Sequence, residues 1–240
     1  ASSAGAGFSI LDTANSTTEA MYVIGTGGSP TASNCGLVEF KSCGFVYSGW
    51  NGLDVIGSTD ISLDTIFTYG NANNAISVSG TNKLSMSGTA YGNGNDALYI
   101  QDSQNIAVYA FGAYNNTVNG IELSGCTAIT IGTSTVHANA ENGIKIGNTC
   151  SDVIVAGNIL YNNGNDILDY SADAIINNNV GDGLPFKEGD ETWQLYWDGT
   201  YAGIKGNIVA NTPVLLAGYA DADLPIPPTT EGFNSPTATS

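Results

Sequence analysis

Three carboxylates around one tyrosine hold the most suggestive chemical spacing in the chain: Asp96, Asp102 and Glu122, near Tyr99. Two carboxyl groups about 5–5.5 Å apart can cleave a glycosidic bond with retention, and about 6.5–9.5 Å apart with inversion. On stacked, extended segments Asp102 and Glu122 differ by about three lateral positions and one strand spacing, on the order of 11 Å. That is wide even for inversion, so the three stand as catalytic candidates without a formed acid–base pair. His137 is the sole histidine, which excludes His-based triads and multi-histidine metal sites. Asp152, Asp166 and Asp169 form no contiguous ligating motif, so neither a metal nor a cofactor is expected.

Charge limits the partners. The basic residues are five lysines (Lys41, Lys83, Lys145, Lys187, Lys205) against 22 acids, with no arginine and a net charge of −17. Such a field repels nucleic acid and anionic membrane surfaces. Without guanidinium forks to clamp carboxylates or phosphates, a ligand is expected to be a neutral or weakly charged glycan. No apolar run reaches the length of a membrane span. The chain opens Ala1-Ser2-Ser3 without an initiator Met, as a processed product or a fragment would.

The elements that must position these residues repeat. Asn51-Gly52-Leu53-Asp54-Val55 recurs as Asn74-Ala75-Ile76-Ser77-Val78, Asp96-Ala97-Leu98-Tyr99-Ile100, Asn119-Gly120-Ile121-Glu122-Leu123 and Asn142-Gly143-Ile144-Lys145-Ile146, at steps of 23, 22, 23 and 23 residues. An alternating apolar run follows in each unit, from Ile61-Ser62-Leu63 to Val153-Ile154-Val155, and then a third run. Short runs bounded by Gly, Asn and Ser suit strands and tight turns. A fixed period of this size signals stacked units, none able to bury its apolar face alone. The spacing predicts a coil of parallel strands, three per turn and ~4.8 Å apart along the axis. Ile76, Leu98, Ile121 and Ile144 should form one interior file. Glu122 should pair with Lys145, and Asp60 with Lys83, across neighbouring coils.

The third run ends on Tyr47, Tyr69, Tyr91, Tyr114, His137 and Tyr161 at steps of 22, 22, 23, 23 and 24. Strand parity turns Val46, Thr68, Ala90, Ala113, Val136 and Leu160 inward and this aromatic column outward. Tyr69, Tyr91, Tyr99, Tyr114, His137 and Tyr161 are therefore the ligand-binding candidates, offering flat faces and polar edges to sugar rings. A stabilising ladder or a subunit contact accounts for the column more simply, since stacked rings favour the coil by themselves. Asn71, Asn93, Asn116, Asn139 and Asn163 recur two residues later and fit a hydrogen-bonded turn ladder. Cys126 and Cys150 fall in adjacent coils, either as a disulfide, whose Cα atoms sit ~4.4–6.8 Å apart, or as two thiols. Cys35 and Cys43 flank one strand and are too far apart to bond.

The pattern Tyr161-Asn162-Asn163-Gly164-Asn165-Asp166-Ile167 and its counterparts, over roughly residues 20–180, resemble the repeats of right-handed parallel β-helix proteins. That family includes pectate lyases, polygalacturonases and phage tailspikes. The resemblance implies an all-β fold: a right-handed, three-strand-per-coil parallel β-helix of about 23 residues per coil, with a small C-terminal β appendage. It speaks to fold more than activity. Paired Asp-Asp, Gly-His-Gly, Arg-x-Lys and Asp-Pro-His, which the polygalacturonase and alginate-epimerase resemblances require, do not occur.

Residues 1–20 read as an entry coil or a cap, 21–186 as the β-helix and 187–220 as a C-terminal β segment. In that segment Trp193, Tyr196, Trp197 and Tyr201 would cover the end of the coil or join subunits. Residues 221–240 read as an extended Pro/Thr/Ser tail. Likeness to tailspikes implies recognition of a host-surface glycan by a homotrimer on a virion or outside a cell. Two alternatives are a polysaccharide depolymerase, a glycoside hydrolase with carboxylates shared between subunits, and a structural spacer of a surface-layer or adhesin protein.

Overall fold

The computed structural model describes residues 9–11, 14–181, 186–187, 193–197 and 202–206. The chain divides into two units, Ala1–Pro185 and Phe186–Ser240. In the first unit a right-handed parallel β-helix is wound from short strands. Its first sheet stacks Thr31–Ser33, Leu53–Ile56, Ile76–Ser79, Leu98–Gln101, Ile121–Ser124, Asn142–Ile146 and Asn165–Asp169. Leu53, Ile76, Leu98, Ile121, Ile144 and Ile167 lie in register across it, and all six are buried. This is the interior file that the period demands, and each such side chain contributes about 1.5–3 kcal/mol on leaving water.

The second and third runs merge in three central coils. Thr59–Tyr69, Asn82–Tyr91 and Gln104–Tyr114 are continuous strands, whereas Thr127–Gly132 and Thr135–His137 are separate. The merged strands bend at an irregularity between Met86 and Gly88, where one residue per coil takes positive φ: Thr65 (56°), Gly88 (139°), Ala110 (48°) and Thr133 (49°). A single left-handed residue turns the corner without ending the ladder. At Gly88 a Cβ would strike the backbone of Ile66, so glycine is required there.

Parallel pairing reaches both ends of the described stack. Ser9–Leu11 and Ala14–Glu19 already pair in parallel with Thr31–Ser33 and Gly36–Lys41, so these residues join the stack as an entry coil. At the other end Asn178, at φ 51°, and Asn179 make the corner after the strand Ile175–Asn177. Val180–Gly181 resumes pairing with Ile159–Tyr161, and Asn179 Oδ1 accepts the Asn158 side-chain amide at 2.9 Å. Asp169 occupies the interior slot level with Ile146, fully buried, its Oδ1 held by the Ser171 amide and hydroxyl at 2.8 and 2.7 Å.

Parity in the first aromatic coil is a correction. Phe45, not Val46, points inward: it is level with Thr68, buried, and edge-on to Phe40 with centroids 5.9 Å apart. Val46 is level with Tyr69 and Tyr47 has passed the corner, at φ 56°. The larger apolar ring takes the interior slot, and the spacing shifts by one residue.

Two amide ladders fasten the coils. Asn71, Asn93, Asn116 and Asn139 each donate Nδ2 to Oδ1 of the next in the file, ending at Asn163, at 2.9–3.0 Å. On the other flank of the same turns, Asn165 Nδ2 donates to Asn142 Oδ1 and Asn142 Nδ2 to Asn119 Oδ1, at 2.9 and 2.7 Å. Buried amides bonded in this way stay satisfied away from water. In the second unit Trp193–Trp197 pairs antiparallel with Ala202–Gly206, the β appendage expected after the coil. Tyr201 lies outside the described residues.

Candidate functional site

The carboxylates separate into two places. Asp96 takes the turn position held by asparagine in neighbouring coils. Its Oδ1 accepts the backbone and side-chain amides of Asn119 at 2.9 and 3.0 Å. Asn119 Nδ2 also donates to Glu122 Oε2 at 2.7 Å, so the two carboxylate oxygens lie within about 5.7 Å, the sum of the 3.0 and 2.7 Å bonds. Asp96 is only 2% exposed. Burial raises its carboxyl to about 6, against the amides of Asn119 that favour the charged form. Glu122 is half-buried at the surface, while Asp96 is buried. Asp102 stands apart, exposed at the corner between first and second strands.

Both expected cross-coil ion pairs form: Lys145 Nζ is 3.0 Å from Glu122 Oε1, and Lys83 Nζ is 2.8 Å from Asp60 Oδ1. Burial alone lowers the Lys145 ammonium, but the bond and charge of Glu122 outweigh it and hold the group above its ordinary value. Tyr99 faces outward in the same file as Glu122; its hydroxyl donates to Gln101 Oε1 at 3.4 Å. It takes no part in the ring stacks described next.

The aromatic column is continuous and largely self-occupied. Centroid distances and interplanar angles are 5.4 Å and 7° for Tyr69–Tyr91, and 4.9 Å and 3° for Tyr91–Tyr114. They are 5.0 Å and 4° for Tyr114–His137, and 4.5 Å and 3° for His137–Tyr161. Parallel rings at this spacing cover one another's faces and leave mainly edges to solvent. Burial lowers the His137 pKa and raises that of Tyr114, with help from Tyr91. The column's upper end differs. Tyr47 meets Tyr69 edge-on, 4.7 Å and 73° away. Tyr22, Tyr47 and Trp50 are 61, 54 and 58% exposed, and Phe67 flanks the stack 5.7 Å from Tyr91.

Tyr22, Trp50 and Phe67 were not singled out from the sequence. Trp50 had a legible signal: it is an aromatic at a turn position that the next coils fill with Asn73, Asn95, Val118 and Glu141, each amide bonded to the carbonyl of the one before it. Trp193, Tyr196 and Trp197 share one strand of the second unit. Among the described residues no group of three or more His, Cys, Asp or Glu side chains is placed to hold a metal ion. No helix among them is long and apolar enough to cross a membrane.

Residues 31–180 match the family model described as the right handed beta helix region. The chain belongs to this family. No curated protein matches it. Among solved structures, the β-helix is similar to the A-module of the mannuronan C-5 epimerase AlgE6 of Azotobacter vinelandii. That match has 20% identity and a TM-score of 0.61, over 65% of this chain and 45% of that one. The A-module of AlgE4 from the same organism matches at 17% and 0.59, over 76% and 63%. A double mutant of the periplasmic alginate epimerase AlgG matches at 12% and 0.56, over 72% and 50%. This β-helix chain thus spans less than two thirds of each structure, and the likeness is one of fold.

Proposed function

We propose that this β-helix recognises a neutral surface polysaccharide, as part of a homotrimeric spike on a virion or outside a cell. The observation that supports this reading is the open end of the aromatic column. Tyr22, Tyr47 and Trp50 leave more than half of their surface in solvent, and rings with one apolar face and a polar tip suit sugar rings. A net charge of −17 without arginine favours a neutral glycan over a uronate.

A glycan array tests the reading. The wild type binds neutral polysaccharide, Tyr47→Asn combined with Trp50→Ser loses it, and folded Tyr91→Ala retains it. Absence of binding to every neutral glycan overturns the proposal. Light scattering tests the assembly: a trimer, weakened by Trp197→Asp, is expected, and a monomer at high concentration rules it out.

The mutual stacking of Tyr69, Tyr91, Tyr114, His137 and Tyr161 favours a second reading, a structural spacer whose rings only stiffen the coil. It requires that no glycan bind and that ring substitutions alter stability alone.

A further inference from the structure

A second surface, at the corner between first and second strands, carries its own observation. A cleft of about 170 Å³ crosses three coils there, lined chiefly by Gly80, Asn82, Asp102, Gln104, Gly125 and Thr127. Asn82, Gln104 and Thr127 stand side by side in register. Gly57, Gly80, Asp102 and Gly125 form the corner file, with φ of 56°, 58°, 48° and 65°. Asp102 is the one of these four with a side chain, and the cleft exists because its neighbours have none. A Cβ on Gly125 would collide with Asp102 Oδ1, so this glycine is what lets the carboxylate lie along the trough.

The groups in the cleft are unspent. Asp102 is exposed, and among the described residues its carboxylate enters no ion pair; the nearby lysines are committed elsewhere, Lys83 to Asp60 and Lys145 to Glu122. Asn82 Oδ1 accepts Asn105 Nδ2 at 2.8 Å, a bond that does not use the two donor hydrogens of Asn82 Nδ2. Thr127 Oγ1 shares a 3.2 Å bond with Ser151 Oγ, and a hydroxyl has capacity beyond one such bond.

We infer that this cleft is a subsite for a single neutral sugar unit, with Asp102 accepting from adjacent ligand hydroxyls while Asn82 and Gln104 supply amide donors. The inference rests on the glycan reading above and extends it to a different face. Sugar hydroxyls both donate and accept, matching a carboxylate set between amides. An anion meets the unpaired charge and is repelled. Calcium, which takes 6–8 oxygens and usually several carboxylates, finds one carboxylate here. The volume lies below the roughly 300–1,000 Å³ of drug-sized pockets, which limits the occupant to about one ring.

The test is amide-resolved NMR of the whole chain, titrated with the methyl glycosides of glucose, galactose and mannose, with N-acetylglucosamine, and with the neutral glycan best bound on the array. At least one should shift Asp102, Ser103, Gln104 and Gly125. Asp102→Asn should weaken that response about tenfold, the loss expected for a charge-assisted hydrogen bond. Asparagine tolerates left-handed φ, so the rest of the spectrum should be unchanged. Shifts at these amides with calcium chloride but with no sugar overturn the subsite. So do sugar shifts confined to Tyr47 and Trp50, or a wild-type response in Asp102→Asn; both leave the glycan reading standing. No shift with any probe, together with a blank array, overturns both.

Discussion

Tyr47 stands edge-on to Tyr69, centroids 4.7 Å and planes 73° apart, where every pair further along the column from Tyr69 to Tyr161 is parallel within 7°. The column therefore has a stiff shaft and an open end, and substitutions should divide accordingly. Tyr114 has a parallel neighbour on each side, and stacked pairs add about 0.5–1.5 kcal/mol each beyond burial. Tyr114→Ala should lower stability by about 2–4 kcal/mol and Tyr47→Asn by about 1 kcal/mol or less. Urea unfolding of the two variants measures this, and equal losses would remove the distinction.

Asn116 is the middle rung of its ladder. Its Nδ2 reaches Asn139 Oδ1 at 2.9 Å, Tyr114 O at 3.2 Å and Ala90 O at 3.3 Å, and its Oδ1 accepts Asn93 Nδ2 at 2.9 Å. Removing it strands several buried partners, each costing roughly 1–3 kcal/mol. Asn116→Ala should unfold the helix at room temperature or bring it within a few kcal/mol of doing so. The adjacent Asn115→Ala, exposed and left-handed at φ 54°, should cost only about 1–2 kcal/mol. Thermal melts of the pair settle the contrast.

What was legible depended on how each feature is encoded. The file from Leu53 to Ile167 and the asparagine rungs repeat residue types at a nearly constant step, so period alone places them. Ring tilt has no such code: a column of tyrosines looks the same in sequence whether faces are shared or open. Counting along strands sets Asp102 and Glu122 far apart, but it says nothing of Asp96 and Glu122, which meet through Asn119, buried at the turn between them. The corner cleft was invisible for a simpler reason. It is made by the missing side chains of Gly80 and Gly125, and the aromatic count slipped by one at Phe45 because either neighbour satisfied alternation.

Asp96 stands in an asparagine slot, and burial raises its carboxyl to about 6. The folded state then holds the proton more tightly than the unfolded chain. The cost of the buried charge is absent below the ordinary carboxylate value, grows as pH rises towards 6, and is complete above it. Asp96→Asn should therefore stabilise the protein by about 1–3 kcal/mol at pH 7 and make little difference at pH 4. Chemical denaturation at the two values is the check; a variant less stable at pH 7 contradicts it.

His137 titrates in an overlapping range with the opposite sign. Burial between Tyr114 and Tyr161 lowers its pKa, so the unfolded chain binds the proton more readily. Stability is intact above the ordinary value near 6.5, falls as pH drops below it, and levels off once the folded imidazole is also protonated. In the Asp96→Asn background, where the opposing carboxyl is gone, the midpoint should fall between pH 7 and pH 5. Adding His137→Tyr, which completes the tyrosine column, should flatten that slope, and an unchanged slope would assign it to another group.

Cys126 and Cys150 are both free thiols, stacked one coil apart, with the Cys126 amide 3.5 Å from Cys150 Sγ. The hydrogen bond from the Cys126 thiol, aided by backbone amides, lowers Cys150 to about 6, while the same bond and burial push Cys126 up. A thiolate facing a thiol at a strand spacing of ~4.8 Å is within the ~4.4–6.8 Å Cα range of a disulfide. Unfolding and refolding in oxidised glutathione should join the two sulfurs and release two molecules of reduced glutathione. The closed loop should then add about 3 kcal/mol of stability. Cys150→Ser should fold normally, since Ser58 and Ser103 already fill the same ladder, and should lose the gain. Non-reducing peptide mapping decides the matter: glutathione left on single cysteines, or a bond from Cys35 to Cys43, would mean that the stacked pair is not poised to close.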